Sequence, residues 1–349
     1  MRTAPLERAQ GRREVLTNAS AAGFPRPAPL PPALVLDHVT KRFAGHTAVD
    51  DLSLAVPAGV IYGLLGPNGA GKTTTIRMML DIMLPDAGRV QLFGGTGTAR
   101  EHSARIGYLP EERGLYRRMR VLDVLVFLGE MKGVDRRSAR TRALAWLERL
   151  GLSEWHARRV DDLSKGMQQK VQFISTLLHA PALVILDEPF AGLDPVNAQI
   201  LKDIVLELRN SGVTVLLSTH VMEQAEKLCD QLCIIARGRK LVDGPLADIR
   251  RAHGGQHLTI GFDGRADAAA LRVFADQRLV HKVDDYGQYA ELELAAGADP
   301  QELLRELVQS GVRLSRFELM EPSLHKVFID LVGGEPATRG ADQEAAAHA

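Results

Sequence analysis

Apolar residues recur along this chain at two spacings, and the switches between them outline its elements. Residues 33–39 alternate enough to predict a strand. Val60–Leu65 predicts a second strand, which enters a glycine-rich turn and then a helix from about Gly71 to Leu84. From about Glu101 to Ala180 the chain reads as mostly helical. Val121–Lys132, Ser138–Leu150 and Lys165–His179 repeat their apolar positions at helical spacing. The runs Leu183–Leu186 and Val213–Ser218 are strand-sized and flank a helix from about Pro195 to Ser211. Gln231–Gly244 predicts a hairpin turning at Arg237-Gly238-Arg239. From about His257 the pattern changes to a strand, a helix, two strands around Tyr286-Gly287, a helix at Pro300–Ser310, a strand at Val312–Leu319 and a last helix at Pro322–Val332. That order predicts a small α+β unit.

Composition adds bounds. Residues 1–32 are rich in Ala, Pro and Arg and predict a disordered leader, and 333–349 predict a flexible tail. Between them, 33–250 are expected to form one large domain, with a helical subdomain at about 100–180, and 256–332 an accessory domain. The 43 basic and 43 acidic side chains cancel, so no global field points to nucleic acid or to an anionic membrane surface. No apolar run approaches the ~18–20 residues that span a bilayer. Cys229 and Cys233 are the only cysteines. Two thiols make neither a disulfide framework nor a metal site, and buried reduced thiols are expected.

The candidate chemistry begins at Gly66-Pro67-Asn68-Gly69-Ala70-Gly71-Lys72-Thr73, which fits G-x-x-x-x-G-K-[ST] between a strand and a helix. Phosphate oxygens need several donors converging from one side. Glycines let backbone N–H groups approach, and the helix N-terminus adds a favourable dipole. Lys72 is placed to reach the β- and γ-phosphates, the Thr73 hydroxyl to ligate Mg²⁺, and Thr74 to touch an α-phosphate. The alternative is a glycine turn that matches by chance. Further on, Ala182-Leu-Val-Ile-Leu-Asp187-Glu188-Pro189 is an apolar strand ending in two carboxylates. Ligands collect at such strand ends in open α/β sheets. Asp187 is expected to hold the Mg²⁺ water shell, and Glu188 to polarise an attacking water.

Four more segments follow in order: Leu163-Ser164-Lys165-Gly166-Met167-Gln168-Gln169, the Asp187-Glu188 pair, Ala191-Gly192-Leu193-Asp194 and Ser218-Thr219-His220. Together with the phosphate loop they resemble the ATP-binding-cassette (ABC) ATPases over about residues 34–245. The resemblance implies an α/β P-loop NTPase-type nucleotide-binding domain with a helical subdomain, which binds ATP and Mg²⁺. It gives Phe43 the place of the aromatic that stacks on adenine, although a plain core phenylalanine is equally open. It gives Ser164 and Gly166 the contact to the nucleotide of a partner subunit, at the third- and fifth-position variant L-S-K-G-M of the family signature. Ser164 can also be an ordinary N-cap. Asp194 falls in the loop that runs between protomers, and His220 matches the histidine that contacts the γ-phosphate. One position departs: Glu111, in Tyr108-Leu-Pro-Glu111-Glu112, stands where the family has Gln. It is expected to reach the metal region and couple it to the helical subdomain.

The signature variant, the Pro-Glu-Glu segment and Pro322-Ser-Leu-His-Lys-Val-Phe328 resemble the bacterial exporter branch, which includes sodium- and drug-export ATPase subunits. That branch implies a chain at the cytoplasmic face of the cell membrane, paired with a second ATPase subunit and driving an integral-membrane permease. The alternatives are a soluble ABC-type ATPase of translation or DNA repair, a small-molecule kinase, and a non-catalytic module. A single phosphate loop, the absence of a long heptad run, the signature and the intact Glu188 each count against one of them.

Overall fold

The structure is a computed structural model and describes residues 31–95, 97–112, 114–253, 257–264, 266, 268–295, 297–320 and 323–333. The predicted leader and tail lie outside these residues apart from Pro31, Pro32 and Gly333.

Strands β1 (Leu34–Phe43) and β2 (His46–Val56) form an antiparallel hairpin, with Leu34 opposite Val56. Strand β3 (Ile61–Leu65) leads into helix α1 (Lys72–Met79), and β4 (Ala87–Leu92) returns beside β1, giving the order β2-β1-β4. Sequence pattern missed β2 and β4. Register shifts break the β1–β2 ladder, and Asp51 takes φ 53°, so apolar residues on β2 do not keep a period of two. Helix α1 ends five residues before the predicted Leu84, because Asp81 takes φ 53° and turns the chain out of the helix.

Strand β5 (Ile106–Leu109) opens the stretch expected to be mostly helical. Then come α2 (Val121–Met131), α3 (Arg136–Arg149) and α4 (Lys165–Leu177). Asp135 caps α3 by accepting from the Ser138 N–H, and Ser164 caps α4 by accepting from the Met167 N–H. Strand β6 (Leu183–Asp187), α5 (Pro195–Asn210) and β7 (Thr214–Thr219) follow near their predicted bounds. Helix α6 (Met222–Leu228), the hairpin β8 (Gln231–Ala236) and β9 (Arg239–Pro245), and helix α7 (Leu246–His253) complete this part. The two short helices had no sequence forecast, since one or two turns leave little periodicity to read.

A six-stranded sheet runs β5-β6-β7-β3-β8-β9, parallel except for β9. Every residue of β3, β6 and β7 is buried, as expected of central strands covered on both faces. The register sets Leu65 opposite Thr219 and Asp187 opposite Ser218, so the three strands end side by side. Cys229 and Cys233 are buried free thiols, and burial pushes both thiol pKa values up, Cys229 to about 12.

The C-terminal elements are β10 (His257–Phe262), α8 (Ala268–Phe274), β11 (Val280–Asp285), β12 (Tyr289–Leu294), α9 (Pro300–Gln309), β13 (Leu314–Met320) and α10 (Leu324–Gly333). They match the predicted order. The strands make an antiparallel sheet, β11-β12-β10-β13, whose apolar face packs Leu258, Ile260 and Leu292 on Ala270, Phe274, Leu303 and Leu307 of α8 and α9. Helix α10 packs elsewhere. Its Leu324 and Val327 are fully buried in the core that also holds Ala225, Leu228 and Ile249. The Leu324 N–H donates to the Glu226 carboxylate, which also pairs with Arg250 at 2.9 Å.

Candidate functional site

The loop from Gly66 to Lys72 is pinned between two strands. A Cβ on Gly66 would meet the Ile235 carbonyl oxygen at 2.2 Å, and one on Gly71, which takes φ 103°, would meet that of Ala48 at 2.4 Å. The Ala70 carbonyl accepts from the Gly238 N–H at 3.1 Å. Only glycine lets the loop sit this close to β2 and to the β8–β9 turn. A cavity of about 480 Å³ lies over it, lined by Asn68 to Thr74, by Phe43, His46 and Ala48 of the β1–β2 hairpin, and by Glu111, Asp187 and Glu188. Phe43 is half-exposed at its mouth, so the structure does not make it a core residue. His46 and Ala48 had no sequence forecast because β2 itself had none.

Lys72 folds back on its own loop. Its Nζ donates to the carbonyls of Gly66 at 2.8 Å and Pro67 at 3.2 Å, and lies 3.9 Å from Glu188 Oε1. Burial holds the ammonium below the ordinary lysine pKa, against the pull of Glu188 and Asp187. Thr73 Oγ1 donates to Asp187 Oδ2 at 3.0 Å. Asp187 is almost wholly buried, its Oδ1 has no hydrogen-bond partner, and burial pushes its carboxyl up. A buried, half-satisfied carboxylate beside a threonine hydroxyl is a donor set suited to a hard divalent cation.

Glu188 is the most tightly held group. Its backbone is left-handed at φ 50°, a strained state for a residue with a side chain. Oε1 accepts from the His220 backbone N–H at 2.9 Å and from His220 Nδ1 at 2.7 Å, and Oε2 accepts from Thr219 Oγ1 at 3.1 Å. Since a carboxylate only accepts, Nδ1 carries the hydrogen and Nε2 is left as the outward ring nitrogen. A second cavity, of about 590 Å³, opens on the other side of Glu188 and shares Glu111 with the first.

The structure thus brings together the loop, Thr74, Phe43, Glu111, Asp187, Glu188 and, through Glu188, His220. It does not bring Ser164, Gly166 or Asp194 to either cavity. Ser164 and Gly166 lie at the start of α4, and Asp194 caps α5 by accepting from the Asn197 N–H at 3.0 Å. Among the described residues no group of three or more His, Cys, Asp or Glu is placed to hold a metal by itself.

Residues 49–191 match the ABC transporter family, and 244–332 match the C-terminal domain of DrrA1-3-like ATP-binding proteins. The ABC transporter ATP-binding protein YhaQ of Bacillus subtilis (strain 168) is 44% identical over 300 residues, which are 86% of this chain and 98% of YhaQ. This chain belongs to the ABC transporter ATP-binding proteins. The daunorubicin/doxorubicin resistance ATP-binding protein DrrA of Streptomyces peucetius is 32% identical over 322 residues, 90% of this chain and 96% of DrrA. The Nod factor export ATP-binding protein I of Rhizobium sp. (strain N33) is 34% identical over 310 residues, 87% and 98% of the two chains. A solved ATP-binding subunit of an ABC transporter superposes with a TM-score of 0.58 at 31% identity, covering 63% of this chain and 92% of that one. The ABC chain is therefore an ATPase with a P-loop NTPase fold and a DrrA-like C-terminal part. ATP-binding subunits of this family work with a membrane partner, and no helix among the described residues is long and apolar enough to cross a membrane.

Proposed function

We propose that this chain is the ATP-hydrolysing subunit of an exporter and that Glu188 is its general base. The carrying observation is the placement of Glu188: buried at the end of β6, strained at φ 50°, held by His220 and Thr219, and facing the cavity over the phosphate loop. Export is supported by the DrrA-like C-terminal part and by relatives named for drug resistance and Nod factor export.

Phosphoryl transfer to water needs positioning and charge stabilisation more than covalent chemistry. In this reading the N–H groups of Gly69 to Thr74 cradle the phosphates, with Gly66, Pro67 and Asn68 shaping the turn. Lys72 leaves the Gly66 and Pro67 carbonyls for the β- and γ-phosphates. Phe43 offers its half-exposed ring to the adenine. Thr73 and Asp187 would hold Mg²⁺, and Glu111 faces the same region. Bound there, the cation would supply charge neutralisation on the phosphate oxygens. Glu188 takes a proton from the attacking water, while His220 fixes the carboxylate and reaches for the γ-phosphate.

The remote positions of Ser164, Gly166 and Asp194 suit a composite site. In a head-to-tail pair of ATPase subunits they would face the second copy's nucleotide, and ATP would bridge the two. Hydrolysis then removes the bridge and the pair opens. We place the chain at the cytoplasmic face of the membrane, with residues 33–250 as the ATPase domain, the helical subdomain at about 100–180 touching an integral-membrane permease, 256–332 as an accessory domain whose final helix α10 is lodged in the ATPase core, and no nucleic-acid partner.

The test is Glu188→Gln, which keeps shape and removes the base. ATP should still bind and drive dimerisation, while hydrolysis falls by about 100-fold or more. Native turnover in that variant would remove Glu188 from the mechanism.

A further inference from the structure

Gln169 is more than nine-tenths buried, on the first turns of α4, five residues after the Ser164 cap. Its Nε2 donates to the Pro189 carbonyl at 2.6 Å, and its Oε1 is buried with no hydrogen-bond partner. The orientation of the amide follows from chemistry. A carbonyl only accepts, so the NH₂ end must face Pro189. The side chain lines the cavity of about 590 Å³ that Glu188, Glu111 and Gly192 also line.

Pro189 has no backbone N–H, so its carbonyl is the one main-chain polar group that can anchor it. It directly follows Glu188, whose left-handed backbone persists only if its surroundings over-determine it. The Glu188 N–H donates to the Ser218 carbonyl at 3.0 Å on one side, and Gln169 grips the next peptide on the other. Two more residues on the same face of α4 behave alike. Gln172 Nε2 donates to the Glu112 carbonyl at 3.2 Å, and the Thr176 hydroxyl shares its hydrogen between the Gln172 carbonyl of its own helix at 3.1 Å and the Tyr108 carbonyl at 3.3 Å. Positions 169, 172 and 176 share one helix face. The helix that starts at Ser164 and Gly166 is thereby fastened to the Glu111 segment and to the Glu188 turn.

We propose that Gln169 is a positioning residue that fixes the backbone of Glu188 to the start of α4, so that a displacement of Ser164 and Gly166 changes the aim of the general base in the same chain. This rests on Glu188 being that base. Gln169 does not line the cavity above the phosphate loop, so it acts on the rate of cleavage and not on the capture of ATP.

The test measures steady-state ATPase and equilibrium ATP binding on the full chain with Gln169→Leu and Gln169→Glu. Losing one buried hydrogen bond at the turn should lower kcat by about 10–100-fold. ATP affinity should stay within about 2-fold, and the melting temperature should fall by only a few degrees, as expected for one buried carbonyl left unpaired. In Gln169→Glu the donor returns when the carboxyl is protonated, so its activity relative to the native chain should rise as the pH is lowered. Assayed well below the melting temperature, a merely structural bond would leave kcat unchanged at every pH. Native kcat in both variants overturns the proposal, and so does a loss confined to ATP affinity. If Glu188→Gln is inactive while Gln169→Leu is fully active, this inference falls and the general-base reading stands. If Glu188→Gln keeps native turnover, the general-base reading falls and takes this one with it.

Discussion

In the six-stranded sheet, β3, β6 and β7 are buried along their whole length and run out into Gly66, Asp187-Glu188 and His220. In the four-stranded sheet, β10 and β12 put Leu258, Ile260 and Leu292 into a core, while His257, Glu291 and Glu293 line a cavity on the other face. The central parallel strands β3, β6 and β7 have no wet face, so their polar groups gather at the strand ends, under strain and partly unsatisfied. The antiparallel sheet spreads its charges over one broad face, where Lys282 pairs with Asp284 at 2.9 Å and Lys326 lies 3.5 Å from Glu293. Buried, strained groups at a strand end are where a single atom changes chemistry. Exposed pairs on a sheet face are where it changes little.

The largest effect should come from the loop. In Gly66→Ala the new methyl meets a backbone carbonyl at 2.2 Å, so the loop must shift. ATP affinity, read by titration with a fluorescent analogue, should fall by about 100-fold or more. Next comes Leu324→Ala, which opens a cavity in the core shared with α6. It should cost about 2–5 kcal/mol in urea unfolding and lower the melting temperature of the ATPase part itself. A loss confined to the C-terminal sheet would show that the two regions are separate after all. A smaller effect follows from His257, whose pKa is lowered by burial and then by Lys326, against Glu293, Asp330 and Glu291. The unfolded chain takes this proton more readily than the folded one. Stability is therefore full above the ordinary histidine value and falls as pH drops below it toward the lowered one. Melting scans from about pH 7.5 to about pH 5.5 should show a modest decline that His257→Gln reduces. The smallest is Lys282→Ala on the exposed face, which should change unfolding free energy by less than about 0.5 kcal/mol.

The same contrast explains what could be read in advance. The loop from Gly66 to Thr73 and the pair Asp187-Glu188 were legible because backbone geometry fixes both residue type and spacing there. The hairpin partner β2 was not, because its bulges and the turn at Asp51 hide the alternation. Helix α10 was visible as a periodic segment, yet periodicity names an apolar face and not the surface it will cover. Gln169 could be read only as part of the signature segment, since its partner is a carbonyl 20 residues away whose direction depends on the Glu188 turn.

The destination of α10 has a consequence for how the protein is made. Leu324 and Val327 complete a core whose other members, such as Ala225 and Leu228, leave the ribosome about a hundred residues earlier. Until α10 arrives, that core has an open apolar side, and the segment that follows His220 lacks its backing. A nascent or truncated chain would carry an intact phosphate loop on an unfinished scaffold. Full stability of the ATPase core therefore depends on a helix encoded about a hundred residues downstream of α6, which it backs.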